Sequence, residues 1–209
     1  TRIDNYNNTT GTNTNLIGGI AIVNNRFINT SGTAIYLRDG RNAPGEYSKD
    51  IQICNNKIET IISAGTVDYN AGSGIIVMGA EDLRICGNII SNAAYNGIQL
   101  ARNKNATVTD NIVTDSEQPA LQIAQWNEGV HEISGNTFST KSEEKGAIRL
   151  YGFTNNYIPE FNISNNKIEN SHYGIQIGHG DAGKSYNDIR DANYSLIGNI
   201  FDDISEHEL

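Results

Sequence analysis

The side chains of this chain that could do chemistry are few, and their spacing matters more than their number. Asp82 and Glu128 are the clearest carboxylate pair, with Glu81 as an alternative partner for Glu128. Two carboxyl groups roughly 6.5–9.5 Å apart can serve as general acid and general base in an inverting glycosidic hydrolysis. Arg102, Lys104 and Arg149 form a cationic set. Such groups can neutralise a sugar carboxylate, and an unprotonated one can act as a base in an elimination. Tyr36, Gln99, Gln122, Trp126, Tyr151, Gln176 and His179 supply amides and rings that hydrogen-bond or stack on a polyol. Each of these residues also has a plain alternative, as a solvated loop acid, a surface cation or a ring covering an edge.

The elements that must position them can be read from an excess of two residue types. The 209 residues contain 29 Asn and 30 Ile, but one Met, one Trp and three Pro. Neither Asn nor Ile is a strong helix former; Ile favours strands and Asn favours turns. One template, apolar-x-apolar-x-x-Asn-x-apolar, recurs seven times with its Asn at 25, 56, 88, 111, 136, 166 and 199. In the fifth copy His131 replaces the first apolar residue. The residue before each Asn is Asn24, Asn55, Gly87, Asp110, Gly135, Asn165 or Gly198, all types that tolerate a left-handed backbone. A second template, small-apolar-x-apolar, falls between these copies at Ala34-Ile35-Tyr36-Leu37, Gly74-Ile75-Ile76-Val77, Gly97-Ile98-Gln99-Leu100, Ala120-Leu121-Gln122-Ile123, Ala147-Ile148-Arg149-Leu150 and Gly174-Ile175-Gln176-Ile177. Each repeat therefore predicts three short strands with a left-handed kink between the second and third.

The shortest repeats, 23 residues from Asn to Asn, suit one triangular coil of a parallel β-solenoid. The expected fold is all-β: a single-stranded right-handed parallel β-helix of about seven coils with an internal Asn ladder. Coils stack at about 4.8 Å, so each Asn amide can donate to one neighbour and accept from the other. The same stacking turns the candidates into columns. Tyr36, Gln99, Gln122, Arg149 and Gln176 should share an outward column with Ile76, beside a strip of small residues, making a shallow trough. The alternative reading gives the small residues to the tight turn into the strand. Asp82 and Glu128 should lie at equivalent offsets two coils apart, on the order of 9–10 Å.

The Asn-x-Ile and Gly-Ile-x-Leu repeats resemble those of right-handed parallel β-helix proteins of the pectin-lyase-like superfamily, over residues of about 16 to 201. That superfamily includes polysaccharide lyases, epimerases, polygalacturonases and phage tailspikes. The resemblance implies a cleft on the face of the first strand and its flanking loops, where the cations, the carboxylate pair, Trp126 and His179 fall. It implies a carbohydrate-active enzyme that binds and depolymerises an acidic or bacterial surface polysaccharide, by lyase or hydrolase chemistry, secreted or on a virion surface. A non-catalytic fibre or adhesion module, with a homotrimer as a candidate assembly, is the alternative. Some pectate lyases bind Ca²⁺, which makes it the candidate ion, although no ligand cluster stands out. Gly178-His179-Gly180 matches a polygalacturonase motif, but no Asp pair precedes it one coil earlier and no Arg-Ile-Lys follows.

Composition also excludes partners. A net charge of −9 argues against nucleic acid, and no apolar run is long enough to span a membrane. Cys54 and Cys86 occupy one repeat position on successive coils and can be either a disulfide or two thiols. Residues 1–209 read as one domain. The start at Thr1-Arg2-Ile3 suggests a processed product or a fragment of a longer chain. Long insertions at roughly 38–48, 60–73 and 178–193 interrupt the coils, as functional loops commonly do.

Overall fold

The computed structural model describes residues 2–5, 18–39, 47–62, 71–125, 127–151, 159–178 and 192–205. Trp126, His179 and most of the three insertions lie outside the described residues. The described residues form 21 strands in three seven-stranded sheets. The first sheet stacks β1 (Arg2–Asn5), β4 (Ile35–Asp39), β7 (Ile75–Met78), β10 (Ile98–Ala101), β13 (Leu121–Ala124), β16 (Gly146–Tyr151) and β19 (Tyr173–Ile177). The second stacks β2 (Gly18–Val23), β5 (Ser48–Cys54), β8 (Ala80–Cys86), β11 (Lys104–Thr109), β14 (Val130–Ser134), β17 (Glu160–Ser164) and β20 (Asn193–Ile197). The third stacks β3 (Arg26–Ser31), β6 (Lys57–Ile62), β9 (Ile89–Ala93), β12 (Ile112–Ser116), β15 (Thr137–Thr140), β18 (Lys167–Ser171) and β21 (Ile200–Ile204). All pairing is parallel, and each coil gives one strand to each sheet. This is a right-handed parallel β-helix of seven coils. Its first strand, Arg2–Asn5, precedes the repeats visible in the sequence, because Arg2-Ile3-Asp4 carries only one apolar residue to mark it.

The core is a set of aliphatic columns. Ile35, Ile75, Ile98, Leu121, Ile148 and Ile175 follow one another in register, all but the last fully buried. The Asn ladder runs the full height of the solenoid. From Asn25 to Asn199, each Nδ2 donates to the next Oδ1 at 2.8–3.0 Å. Each ladder Oδ1 after the first also accepts the backbone N–H of the preceding ladder Asn. The spare amide hydrogens reach carbonyls of the second sheet, as from Asn111 to Ile85 at 3.0 Å. Buried amides are thereby satisfied on both faces.

All seven residues that precede the ladder are left-handed, with φ between 54° and 67°. Two further left-handed columns accompany them. One lies four residues after the ladder Asn, at Asn29, Thr60, Asn92, Asp115, Asn170 and Asp203; the other lies six before, at Gly19, Asp50, Asp82 and Asn105. The column immediately before the ladder turns the corner from the second sheet to the third; the other two are bends within the strands of the third and the second sheet.

The strip of small residues faces inward, not along a trough. Ala34, Ala120 and Ala147 are fully buried in the core. A Cβ on Gly97 would lie 2.2 Å from Val113 Cγ1 and 2.6 Å from the Ala120 carbonyl oxygen. Side chains of the third sheet occupy the space beside this strip, so its residues are small for packing.

Candidate functional site

The predicted binding column forms in register: Tyr36, Ile76, Gln99, Gln122, Arg149 and Gln176 are successive partners across the first sheet. Its centre is not open. Ile76 is 0 % exposed, Gln99 6 %, Gln122 5 % and Arg149 5 %. The Asn96 amide donates to Gln99 Oε1 at 3.0 Å, and the Arg149 guanidinium sits 4.3 Å above the Tyr151 ring. Tyr36 packs on a second apolar cluster of Ile76, Met78 and Ala101. Alternation along a strand decides which face a side chain takes, not whether that face meets water. Gln176, near the last coil, is half-buried and accepts the Gly146 N–H at 3.4 Å.

The four catalytic candidates converge where the first sheet turns into the second. Arg102 occupies the turn with a left-handed φ of 55°, its Nη2 4.0 Å from Met78 Sδ. A second, shorter amide ladder stands beside it, missed because its Asn residues do not recur in every coil: Asn127 Oδ1 accepts the Asn103 N–H, and Asn103 Oδ1 accepts the Ala80 N–H.

Lys49, Glu81, Lys104 and Glu128 form one column of alternating charge. Glu81 binds Lys49 at 3.0 Å and Lys104 at 2.9 Å. These hydrogen bonds, Lys104 first, hold the Glu81 carboxyl below its usual range, and Glu81 pushes the Lys104 ammonium above its own. Lys104 therefore keeps its proton, and its charge is already answered. The position two coils from Glu128 is that of Glu81, not Asp82; Asp82 lies one residue further on, at a left-handed bend. Glu128 Oε1 accepts the Tyr47 hydroxyl at 2.7 Å, and Asp82 Oδ1 accepts the Asn105 amide at 3.3 Å.

Of the four, Asp82 lines an open groove among the described residues. That groove, about 440 Å³ in volume, lies on the outer face of the second sheet and is lined by Asp50, Gln52, Asp82, Leu83, Arg84, Asn105, Thr107, Val130 and Glu132. Two columns build it. Gln52, Arg84, Thr107 and Glu132 are in-register outward residues of β5, β8, β11 and β14. Asp50, Asp82 and Asn105 are the left-handed bends at its side. The signal for the second column was in the sequence, as left-handed formers six residues before successive ladder Asn. Among the described residues no three His, Cys, Asp or Glu side chains group as cation ligands.

Cys54 and Cys86, register partners on β5 and β8, form a disulfide with Cα atoms 4.6 Å apart.

Residues 57–160 match the family described as a right handed beta helix region. No curated protein matches the sequence. The backbone is similar to that of PfbA, a surface adhesin of Streptococcus pneumoniae, with a TM-score of 0.47 and 13 % identity over 90 % of this chain and 56 % of that one. This chain thus spans little more than half the length of PfbA, and a likeness of that degree carries nothing about function.

Proposed function

We propose that this β-helix is a carbohydrate-binding protein that holds an extended polysaccharide in the groove on its second sheet. The groove is the observation that carries this reading. It is open, it runs along the stacking axis, and it offers an amide, a guanidinium, a hydroxyl and carboxylates on successive coils. A coil rise of about 4.8 Å is close to the length of one sugar ring, so consecutive sugars meet equivalent positions. The resemblance to the pectin-lyase-like superfamily supports a glycan ligand. The disulfide supports an oxidising, extracellular or surface setting.

Binding is favoured over cleavage by the column of ion pairs: a lysine paired to Glu81 is a poor base, and a carboxylate held below its usual range is a poor acid. A glycan panel titrated against the protein tests this. Retention of a polysaccharide, lost in Arg84→Ala and Thr107→Trp, is the expected result. Absence of binding across the panel would overturn the reading in favour of a structural solenoid. Near-ultraviolet absorbance or new reducing ends in the same mixtures would reveal a lyase or a hydrolase instead.

A further inference from the structure

We propose that the groove selects an amine-bearing, cationic polysaccharide over an acidic one, an inference that rests on the glycan-binding reading. Its lining holds three carboxylates, Asp50, Asp82 and Glu132, against one guanidinium, Arg84. Asp50 and Asp82 occupy equivalent positions on adjacent coils, both exposed and both left-handed at φ 55°. Their backbones stand one coil rise apart, about 4.8 Å, so a donor lying between the two coils can hydrogen-bond to both carboxylates. An ammonium on a sugar ring is such a group.

Little in the groove answers these charges from within. The Asn105 amide serves one oxygen of Asp82 at 3.3 Å, and the Asn162 amide serves Glu132 at 2.8 Å. Asp50 has neither a hydrogen bond nor an ion pair with any described residue. The cations next to the groove are engaged first elsewhere: Lys49 and Lys104 are both hydrogen-bonded to Glu81, and Lys104 reaches Asp82 only as a weaker, longer-range charge. An acidic glycan would bring its carboxylates against three of the same sign, with Arg84 alone to receive them. A chain of net charge −9 adds a repulsive field at longer range.

Three hexasaccharides of one length separate the alternatives by isothermal titration: fully deacetylated chitosan, its N-acetylated form, and oligogalacturonate. They are titrated below the amine pKa at low and high ionic strength, against wild type, Asp50→Asn with Asp82→Asn, and Thr107→Trp. Asn keeps the shape and tolerates the left-handed backbone, so the double variant folds. The deacetylated hexamer should bind most tightly, weaken about tenfold in the double variant, and weaken further with salt. Tighter binding of the acetylated or galacturonate hexamer, abolished by Thr107→Trp, would overturn the charge selection and leave the glycan-binding groove intact. Calcium uptake that the double variant abolishes, with hexamer affinity unchanged, would also overturn it. Failure of all three hexamers to bind would overturn the glycan-binding reading itself.

Discussion

Two polar columns run along this solenoid, and they differ in what their side chains have to do. In the Asn ladder, between the second and third sheets, each interior amide donates to one coil and accepts from the other. In the groove column Asp50, Asp82 and Asn105 repeat at the same rise, but carboxylates cannot donate to one another, and only Asn105 supplies a hydrogen bond. The first column closes its own hydrogen bonding and is structural. The second leaves acceptors facing solvent, where a ligand can use them. What separates the two is burial together with the presence of a donor on each residue, since the stacking geometry is common to both.

The sharpest break of this comparison is Asn111→Leu. It leaves the buried N–H of Asn88 and one of its two Nδ2 hydrogens without an acceptor, the other still reaching the Ile53 carbonyl, and should cost about 2–4 kcal/mol in urea unfolding. A loss near zero would mean that the ladder is ornamental. Replacing both Cys54 and Cys86 by Ser removes a cross-link between residues 32 apart and should cost about 2–4 kcal/mol, which shows how far the outer face of the second sheet depends on covalent closure.

His131 is a buried polar residue outside either column. It stacks on Phe161 at 5.1 Å, and Phe161 in turn on Tyr194 at 5.6 Å. Both its ring nitrogens are buried without a hydrogen-bond partner. Burial lowers its pKa to about 4; the Glu128 backbone is close enough to oppose this slightly, but not in hydrogen-bonding geometry. The unfolded chain takes up the proton near pH 6.5 and the folded one only near 4. Stability should therefore be complete above 6.5 and fall through that window by about 3 kcal/mol. His131→Phe should abolish that slope in pH-resolved thermal melts. The low Glu81 carboxyl gives its own loss only below about 4.5, so the two are separable.

Gly97→Ala tests the inward strip of small residues. Its new methyl meets Val113 and a backbone carbonyl, and chemical unfolding should register about 1–3 kcal/mol of destabilisation; no loss would return the strip to the surface. The smallest effect belongs to Asp82→Asn, which should shift stability by under about 0.5 kcal/mol while changing ligand affinity. A large stability loss there would place the groove column with the ladder.

Much of the fold was legible because its signals are local and repeated. The seven Asn, their left-handed predecessors and the alternation of Ile with polar residues each reflect a backbone or hydrogen-bond requirement met within one coil. The site was less legible. Asp82 and Glu128 looked equivalent, but the register pairs Glu128 with Lys104 and Glu81, one residue off. Gln99, Gln122 and Arg149 were placed in the right column and on the right face, yet that face is buried. Lys104 read as a free cation because its partner Glu81 lies 23 residues away, on the neighbouring coil.

The sequence by itself determined the coil: three strands, the left-handed corners and an Asn in the same turn of every repeat, since those depend on φ preferences and short-range alternation. Only the tertiary structure decided which outward face is open, which charges answer one another and which carboxylates remain for a ligand. Those properties arise between coils, where a single-residue shift in stacking separates Glu81, ion-paired to two lysines, from Asp82, which accepts the Asn105 amide.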